Sequence, residues 1–170
     1  TIVVKIGGST LGGSDTTLED LAALQAKGIN PVVVHGGGKV ITEWMEKQGI
    51  RARFVRGLRV TDRASLDIVV AVLTGLINKT LVASLHALNG KAIGISGADG
   101  GMLLGSILDA ELGFVGNVAE VNLDPIMAVL DSGCIPIIAP VAVHRNDGSA
   151  HAGSLLNING DTAAGAIAAA

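Results

Sequence analysis

Strand-like and helix-like stretches alternate along this 170-residue chain. The alternation predicts an α/β fold, a three-layer αβα sandwich around a mostly parallel open sheet. Three observations carry that expectation. Apolar runs such as "IVVKI" (2–6), "PVVVH" (31–35) and "IPIIA" (135–139) are rich in β-branched residues and nearly free of polar positions, as strands covered on both faces are. The stretches between them have helical spacing. Two of the strands end on similar glycine turns, "KIGGS" (5–9) and "HGGGK" (35–39), and open α/β sheets bind ligands beyond the carboxyl ends of their strands.

Taken in order, Ile2 to Ile6 reads as a strand, Thr16 to Lys27 as a helix and Pro31 to His35 as a second strand. A helix from about Lys39 to Gln48 follows, with Trp44 and Met45 expected on its buried side. Phe54 to Val60 forms an extended or hairpin segment around Gly57. The clearest helix runs from Asp62 to about Leu88, with Leu66, Val69, Leu73, Ile77, Leu81 and Leu85 among its periodic apolar positions. Thr61 is its expected N-cap, Asp62 suits the positive end, and Asn89-Gly90 supplies the stop. A strand at Lys91 to Ile95, short strands between Met102 and Val121, a helix at Leu123 to Leu130 and a strand at Ile135 to Ala139 complete the pattern. No repeat or linker divides the chain, so residues 1–170 read as a single α/β unit.

Composition narrows the function. Hydrophobic residues make up 49% of the chain, yet the apolar segment Ser132 to Val143 is short and carries two prolines, so no membrane span is expected. A net charge of −3 and 2% aromatics supply neither the basic surface nor the stacking platforms of a nucleic-acid binder. The single cysteine, Cys134, fits a reducing compartment such as the cytoplasm and is expected as a small core hydrophobe. Both ends read as cut, on a strand at Thr1 and inside a helix at "DTAAGAIAAA".

The glycine turns match neither common nucleotide fingerprint. Val33 stands where the phosphate-loop pattern needs its first glycine, Val40 follows Lys39, and G-x-G-x-x-G occurs nowhere. What remains is the backbone: N–H groups bared before a helix make an anion site, although each turn on its own could be only a tight strand-to-helix connection. Lys5 ends an apolar strand, where an ammonium is costly unless an anion offsets it or the side chain snorkels from an edge. At that position it could neutralise a transferring phosphoryl group. Arg59 in "RGLRVTD" can hold a carboxylate by two parallel bonds, but Arg51, Arg53, Arg56 and Arg63 lie close by and residue chemistry does not choose among the five. In "LLNINGD", Asn157, Asn159 and Asp161 alternate, which in an extended strand aims all three one way; caps and turns use the same residue types. The four histidines show neither metal-ligand spacing nor a nucleophile partner, so no metal site is expected and His35 reads as the wall of its turn.

The ordered set "VVKIGGS", "VVVHGGGKVITEWM", "GLRVTD", "GLINKTLV", "ELGFVGNV", "SGCIPIIAPV" and "LLNINGDTAA" resembles the amino acid kinase family over essentially the whole chain. Within that family it is most similar to the members that phosphorylate the side-chain carboxylate of N-acetyl-L-glutamate. The resemblance implies ATP with Mg2+ as co-substrate, an acyl phosphate product for arginine biosynthesis, and no tightly bound cofactor. It implies catalytic roles for Lys5, Gly8 and Asp161: Lys5 and the turn N–H groups on the phosphoryl group, Asp161 holding the catalytic lysines. It implies substrate binding by Gly37, Gly38, Arg59, Asn157 and Asn159, with Arg59 on a substrate carboxylate. A carboxylate nucleophile is ionised at neutral pH and needs no general base, which suits a chain without a histidine dyad.

The family's nucleotide-binding portion lies C-terminal to "NINGD" and is not in this chain, so the chain is expected not to turn over alone. A homodimer is the expected assembly, in the cytoplasm. Two other readings stay open: a kinase of a related acidic amino acid, such as carrier-linked aminoadipate or glutamate, and a non-catalytic module that binds one. A nucleotide enzyme of another α/β class is disfavoured by the missing fingerprints.

Overall fold

The computed structural model describes residues 2–7 and 16–170. A four-stranded parallel sheet forms the centre, in the order β1 (Val3–Ile6), β2 (Val32–His35), β8 (Ile135–Ala139), β5 (Ala92–Ser96). Every residue of β2 and β8 is buried, because helices cover both faces of these inner strands. Val33, Ile135 and Ile137 face a cluster that includes Leu21 of α1 (Thr17–Ala26), Ile41 and Met45 of α2 (Gly38–Lys47) and the long central helix. Val32, Val34 and Ile138 face the opposite cluster, with Ile126 of α5 (Asp124–Asp131) and Ala163, Ala164 and Ile167 of α6 (Gly160–Ala169). The αβα sandwich expected from the sequence is therefore the observed one.

A second, mixed sheet was not visible in the residue pattern. The strands β6 (Leu103–Ile107), β7 (Val115–Val121), β9 (Val141–His144) and β10 (Leu155–Ile158) close into a small barrel. Pro140 is the only residue between β8 and β9, so the chain passes from the parallel sheet straight into the barrel. Gly105 and Gly116 allow the closure: a Cβ on Gly105 would come 2.6 Å from the Asn117 carbonyl oxygen, and one on Gly116 2.8 Å from Leu156 Cδ1. The expected hairpin is present as β3 (Phe54–Val55) and β4 (Leu58–Arg59), turning through Arg56 and Gly57 at positive φ.

The long helix is present but not uniform. It runs as α3 (Arg63–Val70), a π-helical stretch over Ala71–Ile77, and α4 (Asn78–Ala87). It is the one described helix long and apolar enough by length and composition to cross a membrane, and here Val69, Val72, Leu73, Leu81 and Leu85 are spent on the core. Three expectations are corrected. Asp62 is the N-cap rather than Thr61, since its carboxylate accepts from the Ser65 N–H at 2.8 Å. Thr61 is instead buried beside the barrel, its N–H bonded to Leu112 O and its carbonyl accepting from Phe114 N. Trp44 is exposed while Met45 is buried, because α2 packs through the stripe that holds Ile41 and Met45. Cys134 is only partly buried, between α5 and β8.

Candidate active site

The carboxyl ends of β1 and β2 open onto a cavity of about 240 Å³ lined by Lys5, Gly36 to Gly38, Arg59, Asn157, Asn159, Gly160 and Asp161, with Phe54, Leu73, Val115 and Pro140 as its apolar wall. The sequence placed eight residues in a site. Seven of them, Lys5, Gly37, Gly38, Arg59, Asn157, Asn159 and Asp161, meet in this one hollow. Gly8 lies outside the described residues. A roomier hollow of about 480 Å³, lined by Arg63, Leu66, Asp67, Val70 and Ala152 to Leu155, holds none of them.

Two helices begin at the cavity. α2 starts at Gly38 after Gly37, which has no side chain to cap it, and the first helical bond runs from Ile41 N to Gly37 O. The N–H groups of Gly37 and Gly38 donate to no described residue, so this helix end presents them and its partial positive charge to the hollow. Gly37 also leaves room for the core: a Cβ there would collide with Ile77 Cδ1 and come 2.9 Å from Leu73 Cδ2, so both side chains would have to shift. A Cβ on Gly38 would meet nothing within 4 Å.

α6 starts differently. Asn159 is its N-cap, and Oδ1 accepts from Asp161 N at 2.8 Å and Thr162 N at 3.2 Å. The extended alignment of Asn157, Asn159 and Asp161 is thus corrected. The strand ends at Ile158, and the helix begins before Asp161. Asp161 in the first turn reaches back to Lys5, with Oδ1 3.1 Å from Nζ. Asn157, still in β10, donates from Nδ2 to Thr61 Oγ1 at 3.1 Å, and Thr61 Oγ1 donates in turn to Arg59 O.

Arg59 is the electrostatic anomaly. It is only 7% exposed, and its guanidinium donates to three neutral acceptors: Gly38 O and Thr42 Oγ1 from Nη2, both at 2.8 Å, and Met45 Sδ from Nη1. The Phe54 ring lies 4.8 Å away. Burial lowers its pKa from the usual value, but a guanidinium stays charged. No carboxylate of a described residue pairs with it. Thr42, Met45 and Phe54 were missed as site residues. The spacing of 38, 42 and 45 on one helical face was the available signal.

No group of three or more His, Cys, Asp or Glu that could hold a metal forms among the described residues. Among the described residues, Asp161 is the one carboxylate lining the cavity, and Lys5 engages it.

The fold and the cavity define an α/β protein whose parallel strands end on a small hollow flanked by two helix N-termini and by the cations of Lys5 and Arg59. The comparisons with known proteins are narrower. The model of the amino acid kinase family matches residues 1–170, and the chain belongs to that family. An acetylglutamate kinase of Dehalococcoides mccartyi is 47% identical over 169 residues, 99% of this chain and 62% of that protein. The acetylglutamate kinase of a Ruegeria species is 44% identical over 172 residues, 99% of this chain and 58% of that protein. The chain thus spans less than two thirds of these curated relatives. Among solved structures, smu.665 from Streptococcus mutans UA159 superposes with a TM-score of 0.87 at 30% identity, covering 98% of this chain and 66% of that one. The N-acetylglutamate synthase of Neisseria gonorrhoeae, complexed with coenzyme A and N-acetyl-glutamate, gives 0.74 at 25% identity over 98% of this chain and 38% of that one.

Proposed function

We propose that this chain is the amino-acid-binding portion of an acetylglutamate kinase, and that its cavity holds N-acetyl-L-glutamate for phosphorylation of the side-chain carboxylate by ATP. The observation that carries the reading is Arg59, a buried permanent charge that no carboxylate of a described residue pairs, in the lining of the hollow. Desolvating a cation without an anion is costly, and a bound carboxylate repays that cost.

The remaining parts then have roles. Arg59 binds the main-chain carboxylate of the substrate, and the open N-terminus of α2 offers the Gly37 and Gly38 N–H groups to the end where the phosphoryl group arrives. Lys5 neutralises charge developing on that group. Asp161 keeps the ammonium in place while the site is empty. The nucleophile is already an anion, so the work is positioning and charge stabilisation. ATP, with the Mg2+ that accompanies its phosphates, would be bound by a further portion of the kind the longer relatives possess. On this reading the product serves arginine biosynthesis in the cytoplasm, and the working assembly is a homodimer.

Calorimetric titration of the 170-residue chain with N-acetyl-L-glutamate tests the assignment, with Arg59→Ala as control. Saturable binding that the substitution abolishes is the expected result. An absence of heat in a chain that circular dichroism shows to be folded, or equal binding by the variant, would contradict it.

A further inference from the structure

His35 and Asn78 form a buried polar pair that the reading above does not use. Both are fully buried, one at the end of β2 and the other where the π-helical stretch gives way to α4. The Asn78 amide can face only one way. Its Nδ2 lies 2.8 Å from Ile137 O and 3.3 Å from Ile95 O, both pure acceptors, while Oδ1 accepts from Lys79 Nζ at 2.9 Å. Gly94 on β5 makes the room, since a Cβ there would collide with Asn78 Oδ1.

That orientation sets the histidine. Asn78 Nδ2 lies 3.2 Å from His35 Nε2; it shares two hydrogens among this nitrogen and the two carbonyls and cannot accept, so a proton on Nε2 would find no acceptor there and Nε2 presents its lone pair. His35 Nδ1 lies 3.1 Å from Gly36 O, which can only accept, so Nδ1 must carry the proton. Two independent neighbours require the same neutral tautomer. Burial, with Lys79 nearby, pushes the His35 pKa below its usual value, although the Gly36 contact opposes this.

We propose that His35 and Asn78 are positioning residues: Asn78 fixes the Nδ1–H tautomer of His35, which holds the Gly36 carbonyl and so aims the Gly37 N–H into the cavity. In a trans peptide the carbonyl and the following N–H point opposite ways. A Gly36 carbonyl turned to His35 therefore sends the Gly37 N–H to the other side of the chain, where Gly37 lines the hollow. The long helix that carries Asn78 also bounds this turn, because a Cβ on Gly37 would collide with Ile77 Cδ1 and come 2.9 Å from Leu73 Cδ2. The device explains why a histidine without acid–base work stands at the end of a buried strand. It rests on the reading of the cavity as the site for substrate and phosphoryl group.

Nitrogen-15 NMR of the histidine-labelled 170-residue chain tests the first half without any ligand. His35 should show the neutral Nδ1–H tautomer at neutral pH and should titrate below the ordinary histidine value. An Nε2–H tautomer or ordinary titration would overturn the proposal. The second half compares His35→Leu, which removes the donor, with His35→Asn, whose amide can still reach Gly36 O. Affinity for N-acetyl-L-glutamate should fall about tenfold in the first and stay close to that of the unmodified chain in the second. Equal loss in both, or no loss in His35→Leu, would overturn it. If the unmodified chain binds no N-acetyl-L-glutamate, the substrate reading fails separately. The Gly37 amide resonance, displaced in His35→Leu and restored in His35→Asn, then decides the device.

Discussion

The two cations of the cavity are held in opposite ways. Lys5 is one-third exposed and already paired with Asp161 at the start of α6. Arg59 is buried and, among the described residues, satisfied only by neutral groups, three of them on α2. A cation neutralised in the free protein can be lent to a moving charge and taken back. One buried without a counter-charge is instead a standing demand for an anion. The helix ends match this division: α6 is capped by its own Asn159, whereas α2 leaves its first N–H groups open.

Replacing the unpaired charge should have the largest effect. Arg59→Met is expected to weaken N-acetyl-L-glutamate binding by about 3 kcal/mol, since it strips the partner from a buried charge contact. The melting temperature should stay level or rise, because the free chain no longer buries a charge without a counter-ion. Lys5→Ala should leave that affinity within about 1 kcal/mol, the pair it breaks being partly exposed. Parallel losses in both variants would erase the distinction.

The α2 turn sharpens it next. Gly37→Ala should cost about 1–3 kcal/mol of stability through overpacking against Ile77 and Leu73. Gly38→Ala, with open space around its Cβ, should melt close to the unmodified chain. On the capped helix, Asn159→Ala should lose about 1 kcal/mol, read from a denaturant midpoint.

The smallest effect belongs to Asp62, the cap of α3. Its carboxyl is held below the usual value by the Ser65 hydrogen bonds. Because the folded pKa lies below the unfolded one, the stabilisation is complete above about pH 4 and is lost as the pH falls through the folded value. Asp62→Asn should still cap the helix while flattening that part of the acid-unfolding profile.

The central sheet was legible because covered strands must be apolar on both faces, and "VVVH" and "IPIIA" are. The barrel was not. Its strands β6 and β7 are only partly buried, and β10 pairs with β7 and β9 through contacts between separate segments that no local pattern records. The π-helical stretch was hidden as well, since one extra residue per turn leaves the apolar periodicity of residues 66 to 85 readable as an ordinary helix. At the site, the motifs named the members of the cavity but not their division of labour. Asn159 lines the cavity, but its Oδ1 is committed to capping α6, which the motif did not reveal. Residue chemistry did not tell Arg59 from four neighbouring arginines; the resemblance singled it out, and the fold buries it against α2.

A crystal structure of the chain with N-acetyl-L-glutamate tests the central claim most directly. The account predicts one carboxylate on the Arg59 guanidinium and the other toward the Gly37 and Gly38 N–H groups and Lys5. Ligand in the larger hollow beside Arg63 and Asp67, or bound with Arg59 still lacking an anion, would contradict it.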